Sequence, residues 1–157
     1  MDDQDVSLGH PTEVAVVTRV LVGVDFSEAS KQALERAGTW AARMGVPLVA
    51  MHVLQPPAPM LPEAQIALPD PAWLKSMEDH AREQLEAWVK PYGSSGVIVK
   101  WGGPAEELVS EADTKTLLVV AQVGHSTLER LLFGSTAARV VRLAPCDVLV
   151  VRTEKTH

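Results

Sequence analysis

Residues 20–30 read VLVGVDFSEAS and contain two structural signals in direct succession. The first six residues, which end at Asp25, are mostly apolar and β-branched, as is typical of a strand buried on both faces of a sheet. Ser27 then suits the N-cap of a helix, and Glu28 is favourable in a first helical turn. The segment therefore predicts a buried strand that passes directly into a helix, which is the first half of a βαβ unit.

The alternation of buried strand and amphipathic helix continues along the chain. Predicted strands cover residues 20–25, 48–54, 97–101, 117–121 and 147–151. Predicted helices begin at Ser27 and end at Gly45, extend from Trp73 to Trp88, start at Pro104, and include residues 137–143, with Trp40, Trp73 and Trp88 packed in the core. This order predicts one α/β domain, a doubly wound five-stranded parallel sheet with helices on both faces. Ligands of such sheets bind beyond the carboxyl ends of the strands, where the strand order reverses.

Composition limits the class of protein. The 157 residues carry 14 Lys and Arg against 20 Asp and Glu, a formal net charge of −6, which disfavours nucleic acid as a partner. We expect residues 1–18 to form an acidic, flexible tail, residues 19–157 to form the domain, and the six prolines within residues 55–71 to force a surface excursion. The apolar runs are too short to span a membrane. The single Cys146 and the lack of a cationic leader indicate a cytoplasmic protein without disulfides.

The stretch that could carry chemistry is AQVGHSTLERLLFGST, residues 121–136, directly after the fourth predicted strand. Glycine lets the backbone approach an oxyanion closely, and the free N–H groups at a helix start point at phosphate. Gly124, Gly134, Ser135 and Thr136 could capture an anion in this way, with His125 or Arg130 to neutralise its charge. The alternative is that the two glycines only end a strand and start a helix that Ser135 caps.

Other motifs exclude several chemistries. The chain has no Gly-Lys-Ser or Gly-Lys-Thr, no glycine triplet after the first strand, no CxxC or HExxH and no Gly-x-Ser-x-Gly, so we expect neither a protein-ligated metal site such as zinc nor a catalytic set. Asp25 follows the first strand, where an open sheet binds ligands, and we favour a ligand role over capping of the helix beside Ser27. His52 lies inside an apolar strand and is predicted to be a packed, hydrogen-bonded histidine.

Three stretches of the chain form a recognisable set: VGVDFSEAS at the first strand, His52-Val53 at the end of the second, and GHSTLERLLFGSTAARVVRLAPCDVLVVR over residues 124–152. Together they resemble the universal stress protein family. The resemblance covers roughly residues 19–152. It implies an adenine nucleotide α-hydrolase-like fold with strand order 3-2-1-4-5, and a homodimer formed through the last strand. Asp147, where relatives often have proline, places a charge on that strand, which opposes strand pairing.

The resemblance also implies a set of ligand-binding residues. ATP-binding members carry Gly-x-x-Gly, nine residues, then Gly and Ser or Thr, and this chain has Ala121 in place of the first glycine. By resemblance, Asp25 would contact the adenosine part of the nucleotide and the Val53 backbone would recognise adenine. Gly124, Gly134, Ser135 and Thr136 would hold the phosphates. The methyl group of Ala121 lowers affinity, or excludes the nucleotide if the position requires a positive φ.

The leading hypothesis is an ATP-binding regulatory or stress-response protein that acts with an unidentified protein partner. Fast catalysis is not expected, because the sequence offers no lysine clamp and no general base to orient water; whether Mg²⁺ accompanies the nucleotide is left open. One alternative is a nucleotide-free, dimeric interaction module of the same fold, which Ala121 favours. Another is an adenylate-transferring enzyme, for which the chain offers little room for a substrate-binding region.

Overall fold

The computed structural model describes residues 16–56, 69–93, 95–123 and 134–153. Its strands are β1 (Arg19–Gly23), β2 (Leu48–Leu54), β3 (Ser95–Trp101), β4 (Thr116–Ala121) and β5 (Asp147–Val151). Its α-helices are α1 (Glu28–Met44), α2 (Pro71–Val89), α3 (Pro104–Glu111) and α4 (Ser135–Leu143), and a 3-10 turn follows α2 at Lys90–Tyr92.

The five strands form one parallel sheet in the order β3-β2-β1-β4-β5, which confirms the predicted doubly wound architecture. β1 is central: Val20 is in register with Leu48 of β2 on one side and with Leu117 of β4 on the other. Because the chain builds one half of the sheet before it crosses to β4, the strand order reverses between β1 and β4.

Helices cover both faces of the sheet, as predicted. Val20 and Val22 of β1 pack with Leu34 of α1 and Leu85 of α2 in one apolar cluster. Leu21, which points to the opposite face, packs with residues of α3 and α4 in the second cluster. All three β1 side chains are fully buried, so β1 has the two covered faces that its sequence predicts.

The helix signals after β1 are confirmed. The Ser27 side chain accepts a hydrogen bond from the N–H of Ser30 and so caps α1. Gly45 ends the same helix with a φ of 65°, a left-handed conformation that glycine adopts without steric cost.

Several predicted boundaries differ from the structure. β1 ends at Gly23 rather than at residue 25, because the chain turns at Phe26, whose φ is 61°. β3 begins at Ser95, so Gly96, predicted as part of a turn, lies in the strand and is in register with Val49. β5 is an edge strand that is mostly half-buried rather than covered on both faces.

Two of the three tryptophans predicted to pack in the core are exposed. Trp40 and Trp73 are 41% and 43% exposed, whereas Trp88 packs its ring against the ring of Phe26 at 5.2 Å between centroids. Helix α2 is buried only at Ala81, Leu85 and Val89. Trp73 precedes this buried half and lies beside Trp101 instead, at 6.3 Å between centroids.

Part of the predicted organisation falls outside the described residues. This holds for residues 1–15 of the predicted tail and for residues 57–68 of the proline-rich excursion, so the predicted domain boundary stays a prediction. Before β1, the N–H of Thr18 donates to the carbonyl of Lys115 at 2.8 Å. No described helix combines the length and the apolar character that a membrane span requires.

A polar network ties the amino end of β1 to α3. Arg19 donates to Glu111 at 3.2 Å, and Lys100 of β3 donates to the other carboxylate oxygen of Glu111 at 3.1 Å. Arg19 also donates to the buried Thr116 hydroxyl, which in turn donates to Asp113. Desolvation raises the pKa of Glu111, but the hydrogen bonds from Lys100 and Arg19 outweigh it and hold the pKa below its ordinary value.

We expect the Glu111→Gln variant to be less stable than the unmodified protein at pH 7 by about 1 kcal/mol, since it loses both ion pairs. A lowered folded-state pKa contributes stability above the unfolded-state pKa, and this contribution disappears as pH falls through the folded-state value. The difference should therefore shrink below about pH 4. Urea unfolding between pH 7 and pH 3 measures it.

Glu83→Gln, on the exposed surface of α2, is the matched control for loss of one carboxylate. It should leave the free energy of unfolding nearly unchanged at every pH. A Glu111→Gln difference that stays constant with pH would show that the charge of Glu111 does not stabilise the fold.

Candidate functional site

A cleft of about 480 Å³ opens at the carboxyl ends of β1, β2 and β4. It lies where the strand order reverses, the position at which open α/β sheets bind ligands. Its described lining consists of residues 23–25, 30, 51–55, 104, 108, 120–123 and 134–137. A volume of this size is in the range typical of sites for small molecules and cofactors.

Six of the nine ligand-binding residues predicted from the sequence line this one cleft. They are Asp25, Val53, Ala121, Gly134, Ser135 and Thr136. The other three, Gly124, His125 and Arg130, lie outside the described residues. The structure therefore brings together residues that are up to 111 positions apart (136 − 25) in the sequence.

Asp25 lies in the turn that links β1 to α1. The N–H of Ser27 donates to Asp25 Oδ1 at 3.0 Å, and the Ser27 hydroxyl donates to the same oxygen. The Ser27 oxygen then accepts from the N–H of Ser30 at 3.1 Å. Asp25 thus supports the start of α1, as the capping alternative proposed, while the exposed residue also lines the cleft.

The peptide group of Val53 faces the gap left by the early end of β1. Successive peptide groups of a parallel strand point alternately to its two neighbours. The Met51 carbonyl accepts from Val24 on the β1 side, and the Leu54 carbonyl accepts from Gly102 on the β3 side. The N–H and carbonyl of Val53 therefore point to the β1 side, beyond the last β1–β2 pair, which joins Gly23 and Met51.

His52 is a packed, hydrogen-bonded histidine, which confirms the prediction. Its Nδ1 lies 2.7 Å from the carbonyl oxygen of Val24, and its ring packs against that of Phe26 at 4.6 Å between centroids. His52 also lines the cleft, which the sequence did not indicate.

The N-terminus of α4 opens into the cleft. Gly134 occupies the N-cap position without a side-chain cap, and Ser135 is the first helical residue, so the alternative in which Ser135 only caps this helix is wrong. The first intrahelical bond runs from the N–H of Ala138 to the Gly134 carbonyl at 3.0 Å. The amides of residues 135–137 precede that bond and have no intrahelical acceptor.

The backbone amide of Gly134 has a different role from the amides of Ser135 and Thr136. Its N–H donates to the carbonyl of Gln122 at 2.7 Å, while the N–H of Gln122 donates to Val151 of β5 at 2.8 Å. This chain of bonds fixes the start of α4 relative to the end of β4. Because the Gly134 N–H is already hydrogen-bonded, the amides of Ser135 and Thr136 can donate to an anion and that of Gly134 cannot. The role of Gln122 was not predicted from the sequence, because a residue of any type can accept a hydrogen bond through its main-chain carbonyl.

Ala121 does not occupy a conformation that favours glycine. It is the last residue of β4, in register with Val151, and Phe26 is the only non-glycine residue with a positive φ in the described part of the chain. Its methyl group belongs to the apolar cluster beneath α1, on the face of the sheet opposite to α4. Ala121 therefore does not have the positive φ that would make this alanine exclude a ligand.

Charge in the described lining is sparse. Asp25 is the only Asp, Glu, Lys or Arg among the described lining residues. Arg139, one turn into α4, is half-exposed and ion-paired with Glu106 of α3. The feature of the described lining that attracts an anion is thus the positive end of the α4 dipole with its unpaired amides.

The parallel sheet, its strand order and the cleft at the reversal define a doubly wound protein and match the adenine nucleotide α-hydrolase-like fold that the sequence resemblance implies. A family model described as "Universal stress protein family" matches residues 17–152. The chain belongs to this family, which confirms the resemblance seen in its sequence.

Known proteins of this family are similar along most of the chain. A universal stress protein of Mycolicibacterium smegmatis is 34% identical over 139 residues, which cover 85% of this chain and 45% of that relative. The structure of universal stress protein UspA from Lactobacillus plantarum is 28% identical with a TM-score of 0.72 and covers 88% of this chain and 99% of that one. A universal stress protein solved in complex with cAMP is 29% identical with a TM-score of 0.57, over 87% of this chain and 97% of that one.

The chain spans about half the length of the mycobacterial relatives that it matches. One of them, from Mycobacterium tuberculosis, is 31% identical over 160 residues that cover 98% of this chain and 50% of the relative.

Proposed function

We propose that this protein binds an adenine nucleotide, specifically ATP, in the cleft at the ends of β1, β2 and β4. The observation that carries the proposal is that the Asp25 carboxylate, the Val53 peptide that faces the gap beyond β1, and the amides at the start of α4 meet in one cavity. The similar protein solved with cAMP supports an adenine-containing ligand. We further propose that nucleotide binding at this site serves a regulatory role in the stress response, in the cytoplasm.

The phosphates occupy the start of α4 in this proposal. The amides of Ser135 and Thr136 line the cleft and precede the first intrahelical hydrogen bond. Their N–H groups donate to phosphate oxygens, and the hydroxyl groups of the same residues add donors. Gly134 presents no Cβ beside this position, and Gly124, His125 and Arg130 stay predicted contributors from outside the described residues.

The adenosine part lies toward β1 and β2. The Val53 N–H and carbonyl offer one donor and one acceptor, which suits the edge of adenine. Asp25, on the adjacent turn, accepts hydrogen bonds from ribose hydroxyls. Apolar side chains that line the same cleft, including Leu108 and Val120, remove the base from water.

We propose binding and regulation rather than rapid turnover. Hydrolysis of a γ-phosphate is accelerated by cations that neutralise its oxygens and by a group that orients water. The described lining supplies neither a Lys nor an Arg, and Arg139, one turn into α4, is ion-paired with Glu106. A bound nucleotide would instead stabilise the cleft and change the surface that a protein partner meets. Binding measured with and without Mg²⁺ decides whether the ion accompanies ATP.

Ser135→Pro tests the phosphate contact. Proline is favoured at the first helical position, and the substitution removes the Ser135 N–H together with the side-chain hydroxyl. Gly134, with φ −57° and ψ 156°, already has the conformation that a residue before proline prefers. We expect the variant to keep its free energy of unfolding within about 1 kcal/mol and to bind ATP at least about tenfold more weakly, as measured by isothermal titration calorimetry.

Ser135→Ala is the matched control, since it removes the hydroxyl and keeps the N–H. We expect it to bind ATP clearly more tightly than Ser135→Pro. Equal affinities of the two variants for ATP would contradict a phosphate contact at this amide.

We also propose that two copies of the chain associate through β5. β5 is an edge of the sheet, and Val141 and Leu143 of the adjoining α4 are 53% and 48% exposed. The Val151 carbonyl accepts from Gln122 on the β4 side, so by alternation the peptide groups of Val148 and Val150 point outward from the free edge. This edge offers main-chain donors and acceptors to a second copy.

Val150→Pro removes one N–H that points away from β4 and leaves the hydrogen bonds between β5 and β4 in place. Proline is tolerated at such positions of an edge strand. We expect it to convert a dimer of the unmodified protein to a monomer in size-exclusion chromatography with multi-angle light scattering, while circular dichroism stays unchanged. Val150→Thr keeps the N–H and should stay dimeric. A monomeric unmodified protein, or a dimeric Val150→Pro, would contradict association through β5.

A further inference from the structure

The turn that carries Asp25 is conformationally strained. Phe26 has a φ of 61°, the only positive value at a non-glycine residue in the described part of the chain. A residue with a bulky side chain adopts this conformation only where its surroundings hold it there, and such residues cluster at functional sites. The neighbours of Phe26 are therefore informative about what the turn does.

Two aromatic rings from other elements enclose the side chain of Phe26. The His52 ring of β2 lies 4.6 Å away between centroids, and the Trp88 ring of α2 contacts it edge-on at 5.2 Å. These contacts fix the ring at the point where the backbone reverses direction, so the sheet and α2 together hold the strained residue in place.

The peptide groups on both sides of Val24 are tied to β2. The N–H of Val24 donates to the Met51 carbonyl at 2.9 Å, and its carbonyl oxygen lies 2.7 Å from His52 Nδ1. A carbonyl oxygen only accepts, so His52 Nδ1 carries the hydrogen and donates it. Val24 directly precedes Asp25, so the side chain of His52 bonds to the peptide group that joins Val24 to Asp25, whose N–H donates to the Ser30 hydroxyl at 3.3 Å.

We propose that His52 is a positioning residue: through its bond to the Val24 carbonyl and its contact with Phe26, it holds the Asp25 carboxylate in place at the cleft. This inference rests on the proposed nucleotide site. His52 belongs to the same strand as Val53, so one strand sets both the peptide group that faces adenine and the carboxylate that faces ribose.

His52→Phe tests the hydrogen bond because it removes the donor and keeps an aromatic ring beside Phe26. His52→Asn is the conservative variant, since its amide N–H can take the place of Nδ1. We expect His52→Phe to weaken ATP binding about tenfold and His52→Asn to stay within about threefold of the unmodified protein. His80→Phe, on the exposed surface of α2, is the matched control and should leave affinity unchanged.

A double-mutant cycle separates positioning from a general structural role. If His52 acts through Asp25, His52→Phe should weaken ATP binding by less than about twofold once Asp25 is already alanine. Additive losses in the cycle, or equal losses for His52→Phe and His52→Asn, would overturn the proposal.

Amide hydrogen exchange of Ser27 provides a readout that needs no nucleotide, because this N–H donates to Asp25 Oδ1 at 3.0 Å. We expect exchange to be about tenfold faster in His52→Phe and nearly unchanged in His52→Asn. If the unmodified protein binds no ATP, the proposed function fails and this exchange decides the positioning role alone. Unchanged Ser27 exchange in His52→Phe would overturn that role.

Discussion

The parallel pairing of β1 with β2 on one side and β4 on the other is the constraint on which the remaining structure depends. Both pairings use the same short strand, whose three central side chains are fully buried, and the chain completes one half of the sheet before it crosses to the other. The connections after β1 and β4 therefore leave in opposite directions. The gap between them is the cleft, and its position follows from the strand order rather than from any side chain in it.

The early end of β1 gives this gap its chemistry. β1 stops at Gly23 while β2 continues to Leu54, which leaves the Val53 peptide facing open space. On the other side, the bond between Gly134 and Gln122 sets the first turn of α4 at the end of β4. Main-chain groups from both sides of the sheet thus face the cleft, an arrangement that suits recognition of a nucleotide by main-chain donors and acceptors.

The fold was largely predictable because each signal was local. β2 and β5 have the predicted bounds, because each is a short apolar run that closely follows a proline in the sequence. Helix α1 begins after Ser27, which caps it, and ends at Gly45, which adopts the left-handed conformation. The end of β1 was not predictable, since the positive φ of Phe26 depends on rings from β2 and α2. The exposure of Trp73 was also missed, because helical spacing does not say how much of a helix the sheet covers. Six of the residues predicted to bind a ligand do line the cleft. The hydrogen bond from the Gly134 amide to Gln122 could be seen only in the structure, because it joins main-chain groups.

Backbone amide chemical shifts measured by NMR test the proposed site most directly, since distinct main-chain groups would contact the base and the phosphates. Titration with ATP should shift the amides of Val53, Ser135 and Thr136 together, and titration with adenosine should shift Val53 while it leaves Ser135 and Thr136 nearly unchanged. An ATP titration that leaves the Ser135 and Thr136 amides unmoved, or that shifts only residues away from this cleft, would contradict the account.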